Sequence, residues 1–310
     1  MAVTLAQSAL LSQNDLQRGV AELFVIQSRV LDRLPLITIE GNAYAYNSEA
    51  ALPSTGFRAI NTAYVESTGT LAQSVETLAI LGGDADVDRF IVQTRGNLAD
   101  QRATAVALKV KSANFKYQET FINGDVSIDV NSFDGLKKRL TGNQVVAAAT
   151  NGLGPVAGGQ AFFDALDDLM ARVPSGVDAL YMNAAIQAKV RSSARRLGAW
   201  QQSRNEFGVP IDTYNGVPLL VIGTNAAGTE ILPQTETQGT ASGITSSIYA
   251  VSWSDGPADA GVGGLTNGGL QAYDLGEIDS MPVFRTRIEF YCGMAVFGRG
   301  AARLTGVLNA

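Results

Sequence analysis

Residues 36–83 read LITIEGNAYAYNSEAALPSTGFRAINTAYVESTGTLAQSVETLAILGG, and the way this stretch folds decides how the rest is understood. Short strand-like pieces, Ile37–Ile39, Ala43–Tyr46 and Thr77–Gly83, flank an inner run rich in Ser, Thr, Ala and Asn, with Pro53 and Gly56 as breakers. The pattern predicts a long hairpin with a loose tip. Its larger side chains, Tyr44, Tyr46, Leu52, Phe57, Ile60, Tyr64 and Val65, are scattered and have too few local partners to build a core. A two-stranded hairpin alone is marginally stable in water. This one therefore needs a surface to lie on, either the body of its own chain or a neighbouring subunit.

Upstream, Leu16, Val20, Leu23, Phe24, Leu31 and Leu34 fall at helical spacing behind a cap at Ser12 or Asn14, and Pro35 ends the run. The expectation is an amphipathic helix, either an arm lying against something else or a part of the ordinary core. Downstream, Asp84, Asp86 and Asp88 alternate as carboxylates do at the start of a calcium loop. Arg89 stands where that loop needs its glycine, however, and Arg95 where it needs its closing glutamate, so the expectation is a solvated turn with capping carboxylates and no metal. A long helix follows over Asn97–Asn123, with Leu98, Val106, Val110, Ala113, Tyr117 and Phe121 on one stripe and Gly124 at its end. At 1.5 Å per residue it is on the order of 40 Å long. Asp100, Arg102, Lys109, Lys111, Lys116 and Glu119 lie on its other face, which reads as solvated.

Beyond Gly124 the elements are shorter and mixed. A turn or short helix at Phe133–Leu140 precedes an Ala/Gly-rich loop over Gly142–Gly159 and a helix over Gln160–Val173 with Phe162, Phe163, Leu166 and Leu169 inward. A strand at Ala179–Met182, a helix at Ala184–Leu197 and a hairpin turning at Asn215-Gly216 come next. Thr224–Ser247 is polar and glycine-bearing and reads as an exposed loop, and Gly261–Gly269 as a flexible glycine-rich loop between strands. In VFRTRIEFYC, Phe284, Ile288, Phe290 and Cys292 alternate with Arg285, Arg287 and Glu289, which marks a strand with one wet face; residues 293–308 supply another. The fold class is α+β without regular βαβ alternation.

Composition removes several function classes. The 310 residues contain no histidine, which excludes Ser-His-Asp and Cys-His chemistry and histidine-bearing zinc sites. Carboxylate- or lysine-based catalysis survives that test, but no phosphate loop or complete dinucleotide fingerprint is present, and Asp167 and Asp168 are adjacent on a helix and face different directions. Catalytic, cofactor and metal sites are all expected to be absent. Cys292 stands alone and is expected to be a packed strand cysteine. No apolar run suits a membrane span, and the first residues lack the basic flank of a signal peptide. A net charge of −6, with no basic cluster longer than Lys137-Lys138-Arg139, predicts weak adhesion to nucleic acid.

Taken in order, the helical arm through Leu34-Pro35, the thin hairpin, the run Leu81–Phe90 and the long helix ending in FKYQETFINGD at 115–125 resemble the major capsid proteins of tailed bacteriophages with the HK97 fold. The resemblance implies an N-terminal arm at 1–35, an extended loop at 36–83, a peripheral domain at 84–125 and 281–310 built on a long spine helix, and a mixed axial domain at 126–280. It implies a structural subunit that assembles with itself into pentamers and hexamers of an icosahedral shell, formed in the host bacterial cytoplasm and carried in the virion. Tyr44, Tyr46, Leu52, Phe57 and Tyr64 would contact the adjacent subunit. Double-stranded DNA would be enclosed without specific binding, and scaffolding, portal and decoration proteins are the further partners implied.

The first lysine is Lys109, so the extended loop lacks the lysine through which the prototype of the fold cross-links its shell, and noncovalent contacts are expected instead. The chain enters its arm almost at once, which points to a scaffolding protein encoded separately. An encapsulin-type compartment of the same fold is the alternative, with a soluble histidine-free enzyme as a more distant one.

Overall fold

The computed structural model of the chain describes residues 3–4, 20, 24, 28–95, 98–198, 201–204 and 210–310. In chain order its first elements are β1 (Val3–Thr4), β2 (Pro35–Thr38), β3 (Ala43–Ala51), β4 (Thr70–Thr77), β5 (Ala79–Asp88), α1 (Arg89–Arg95), α2 (Leu98–Asn123), α3 (Leu136–Arg139), β6 (Val145–Ala147) and α4 (Gln160–Ala171). They are followed by β7 (Ala179–Met182), α5 (Ala184–Arg196), β8 (Gln201–Arg204), β9 (Pro210–Tyr214), β10 (Val217–Val221), β11 (Glu236–Gln238), β12 (Ala241–Val251), β13 (Gly261–Ile278), β14 (Met281–Phe297) and β15 (Ala301–Leu308).

Five strands form one sheet in the order β1-β2-β13-β14-β5, eight form a second along β6-β15-β12-β7-β10-β9-β8 with β11 on β12, and β3 and β4 pair only with each other. In the first sheet the period-two alternation of β14 does what its sequence dictates. Ile288, Phe290 and Cys292 turn inward and are buried, while Arg285, Arg287 and Glu289 line the other face. Against the inner face lies α2, whose Val106, Val110, Tyr117 and Phe121 join the same core. Asn114, fully buried on that helix, donates from Nδ2 to the Phe24 carbonyl at 2.7 Å and accepts from Gln118 Nε2 at 2.6 Å. Val20 and Phe24 are helical and join Val30, Leu31 and Leu34 in the chain's own core; Leu16, Leu23 and the expected cap lie outside the described residues.

The second sheet is covered on both faces. Along β7, Ala179 and Tyr181 enter the core shared with α2, whereas Leu180 and Met182 enter a separate core under α4 and α5. A strand buried on both sides has no polar alternation to show, and ALYM reads accordingly. Asn183 caps α5, its Oδ1 accepting from Ala185 N at 2.7 Å. The β9–β10 turn falls at Asn215-Gly216, with φ of 48° and 82°.

Four expectations are corrected. Asp84–Asp88 is not a turn: it continues β5, because Arg285 and Arg287 on β14 stand opposite its carboxylates in register. Only Asp88 caps, accepting from Phe90 N at 2.7 Å. The Ala/Gly-rich loop contains β6, which runs parallel to β15. Thr224–Ser247 is largely ordered: Glu236–Gln238 and Ala241–Val251 pair, and Thr245, Ser246 and Ser247 are buried, their hydroxyls donating to Glu236 O, Leu232 O and Glu236 Oε2. Those internal acceptors let a polar run sit inside. Finally, Gly261–Gly264 is buried strand. A Cβ on Gly261 would come within 2.8 Å of Ser254 N and 2.9 Å of the Trp253 carbonyl carbon, so these glycines permit close approach of backbones. Only Gly268 and Gly269, at φ of 78° and 69°, form an interruption, a bulge between Thr266 and Leu270.

Candidate assembly interface

The β3–β4 pair stands out from the body as an antiparallel ribbon, with Ala43 opposite Thr77 and Ala51 opposite Thr70, and residues 52–69 close it as a long tip. Across those 18 residues everything is exposed. Among the described residues the tip is shaped by bonds to itself: Ser54 N donates to Ser67 Oγ at 2.8 Å, Thr62 Oγ1 to Ala59 O at 2.8 Å and Arg58 Nη1 to Thr62 O at 3.2 Å. Arg58 also lies over the Tyr64 ring, 5.2 Å from its centroid. Phe57, Ile60 and Val65 project into solvent with nearly all of their surface bare, and Leu71 and Val75 on the stem are exposed as well. That is a large apolar commitment for a segment with no core beneath it.

The foot of the ribbon is built differently. Tyr46 is buried, its ring meeting Phe297 edge-on at 4.9 Å and its hydroxyl donating to the Val296 carbonyl at 3.1 Å; Tyr44 stacks on it and reaches the same Phe297. Burial, and next the Glu76 carboxylate, raise the Tyr46 hydroxyl above its ordinary pKa, so it stays a neutral donor. Glu76 is held by both terminal nitrogens of Arg139, with Nη2 to Oε2 at 2.6 Å and Nη1 on Oε1. The two side chains retain only 16% and 15% of their exposure.

Arg139 belongs to the four-residue helix α3, and its neighbours hold two further elements. Lys137 Nζ sits 3.2 Å from Glu236 Oε1 beside β11, while Lys138 bridges Asp125 and Asp134 at 2.5 and 3.1 Å after the end of α2. Lys138 first, then Ser127, holds the Asp125 carboxyl down at about 2. A single turn thereby joins the ribbon, the long helix and the second sheet.

The five residues expected at a subunit contact thus divide by depth. Leu52, Phe57 and Tyr64 are free on the tip, whereas Tyr44 and Tyr46 secure the foot to the chain's own β14. Sequence reasoning passed over Glu76 and Arg139. They are 63 positions apart and no local pattern links them.

A second charged feature lines the outer face of the first sheet. Arg287 Nε and Nη2 donate to Asp84 at 2.8 and 3.0 Å, and Arg285 Nε and Nη2 donate to Asp86 at 2.7 and 2.6 Å. Each arginine lowers its partner's carboxyl. A cleft of about 520 Å³ opens beside α3, but Lys137, Lys138, Arg303, Glu236 and Asp125 on its walls already pair among themselves. Among the described residues no group of carboxylate and thiol side chains is placed to hold a metal ion. The arrangement offers contact surface.

A family model described as major capsid protein GP7 matches residues 12–160. No curated protein sequence matches the chain. Among solved structures, the SrpI encapsulin of Synechococcus elongatus PCC 7942 is similar with a TM-score of 0.64 at 18% identity, covering 100% of this chain and 97% of that one. The capsid of a native GTA particle gives 0.61 at 15% identity, covering 92% and 90%. The structure from Microbacterium phage Oxtober96 gives 0.57 at 13%, covering 89% and 90%. The architecture is the HK97-like fold of capsid and encapsulin shells.

Proposed function

We propose that this chain, with the HK97-like fold and a capsid-protein match over its first half, is a major capsid protein: a structural subunit that builds a closed shell from copies of itself. The observation that carries the reading is the exposed tip at 52–69, which has apolar side chains, no core of its own and a firmly attached foot. In this reading the ribbon 43–77 is the extended loop and lies over the adjacent subunit through Leu52, Phe57 and Tyr64. The first sheet with α2 is the peripheral domain and the second sheet with α4 and α5 the axial domain, which moves β13 at 261–278 from the axial to the peripheral side of the division expected from sequence and β15 at 301–308 the other way. Pentamers and hexamers close by noncovalent contacts, since the ribbon has no lysine to cross-link. The shell surrounds double-stranded DNA without gripping it, consistent with a net charge of −6. The work is done by buried area, with no catalytic step. A standard interface buries about 1,600 Å², and a shell multiplies it.

The similarity to an encapsulin gives a second reading, a compartment around a protein cargo. Particles purified from the native source separate the two by content: nucleic acid for the capsid, a protein cargo for the compartment. For assembly itself, the purified chain is viewed by negative-stain microscopy beside a variant in which 52–69 is replaced by a short turn. Shells or five- and six-membered rings from the parent and isolated folded subunits from the variant are expected. A stable monodisperse monomer from the parent under assembly conditions overturns the reading, and shells from the variant overturn the role of the tip.

A further inference from the structure

The two helices covering the outer core of the second sheet carry opposite charge. In α4 the charged residues are Asp164, Asp167 and Asp168, with no basic residue between Gln160 and Ala171; in α5 they are Lys189, Arg191, Arg195 and Arg196, with no acidic one. Asp167 and Asp168, at i+3 and i+4 from Asp164, flank it on either side of one broad helix face, and all three are exposed. Lys189 and Arg196, seven apart, share another, with Arg195 beside them.

Within one chain these faces do not satisfy each other. Among the described residues no ion pair joins α4 to α5. Asp168 meets only Arg172 in an exposed pair, Asp164 accepts from Gln160 Nε2, and Asp167 accepts from Tyr214 OH and Asn215 Nδ2, neutral donors that leave its charge in place. On α5, Arg191 is engaged by Asp212, whereas Arg195 and Arg196 donate to the carbonyls of Arg191 and Val156 and Lys189 has no carboxylate in reach among the described residues. The helices share one core but differ in their main strand contacts: α4 packs on β6 and β15 and reaches the β9–β10 turn through Phe163 and Asp167, while α5 packs on β10 and holds β9 through Arg191.

A surface that carries both halves of a complementary pair on two helices that do not pair with each other suits head-to-tail contact between copies, which closes into rings. We propose that the acidic face of α4 on one copy seats against the basic face of α5 on the next, and that this contact sets the direction in which subunits join around a ring. The inference rests on the shell reading above and goes beyond it by naming the surfaces. Complementary charge of this kind mainly selects the partner and speeds encounter, so ring formation should weaken as salt rises.

Charge exchange tests it. In Asp164→Lys/Asp168→Lys both helices carry net positive charge, and in Lys189→Glu/Arg195→Glu/Arg196→Glu both carry net negative charge. All five positions lie outside the buried core, and circular dichroism checks the fold of each variant. Each variant alone should need at least about tenfold higher concentration than the parent to form rings, a factor read directly from sedimentation. Mixing the two variants should restore rings of even number, and placing all five substitutions in one chain should restore assembly with itself. If either singly reversed variant assembles like the parent, or if neither mixing nor the full exchange restores rings, the α4–α5 contact is overturned while the shell reading stands. If the parent forms no oligomer at all, the shell reading fails first.

Discussion

Arg139 and Glu76 are joined through two parallel hydrogen bonds at the base of the ribbon, and both lie largely out of solvent. A forked guanidinium–carboxylate contact fixes orientation as well as distance. Replacing Arg139 with Ala leaves the Glu76 carboxylate half-buried and unpaired, and should cost about 1–3 kcal/mol of stability. Amides of 43–51 and 70–77 should exchange faster in the variant while those of α2 do not. A double cycle with Glu76→Gln measures the coupling, and additive effects would contradict the anchoring role.

The exposed tip makes the opposite prediction. Phe57→Ser with Tyr64→Ser removes side chains that touch nothing of consequence in the subunit, so thermal stability should move by no more than about 0.5 kcal/mol. Shell yield, measured by sedimentation, should fall. Lost stability with unchanged assembly would show that the two rings serve the subunit itself.

The Arg–Asp ladder predicts acid sensitivity. Asp84 and Asp86 have folded-state pKa values lowered by Arg287 and Arg285, so the stability they supply is fully present above the unfolded carboxylate value and is lost as pH falls through the lower folded one. Removing the arginines erases that difference. Arg285→Gln/Arg287→Gln should be less stable than the parent near neutrality, and the gap should narrow on acidification below pH ~4, followed by circular dichroism. A gap independent of pH would mean that the arginines act through packing.

Cys292 is buried between Tyr291 and Gly293 in β14, and burial pushes its thiol up to about 12. In mildly alkaline buffer a thiol reagent should leave the native chain unmodified and label one site per chain in denaturant. Rapid labelling of the native protein would contradict its packing.

Gly261→Ala tests whether the glycine run is packed or loose. Ser254 and Trp253 backbone atoms occupy the space a Cβ would take, so a loss of about 1–3 kcal/mol is expected in chemical denaturation. A neutral effect would return this stretch to the class of flexible loops.

These residues also mark how far sequence reaches. The stripe Val106, Val110, Tyr117 and Phe121 and the alternation through Ile288, Phe290 and Cys292 were legible because a single element buries one face at its own period. The hairpin was legible by its poverty of partners. Gly261–Gly264 was not, because a glycine needed for close approach carries the same letter as one needed for flexibility. Thr245, Ser246 and Ser247 misled for a related reason: their acceptors, Leu232 and Glu236, come from a neighbouring strand and its approach. The ladder Asp84–Arg287 and the Glu76–Arg139 contact depend on register across some 200 and 63 positions, information that no local pattern holds.

The ribbon's attachment carries a mechanical consequence. Beyond Tyr46, β3 runs on for five residues at about 3.3 Å each, roughly 17 Å, so a change of about 10° in the angle set at the foot would move the start of the tip by roughly 3 Å. The contacts that fix this angle, around Arg139 and Tyr46, are few and lie apart from the two larger cores. A substitution among them would therefore re-aim Phe57 while leaving those cores unchanged.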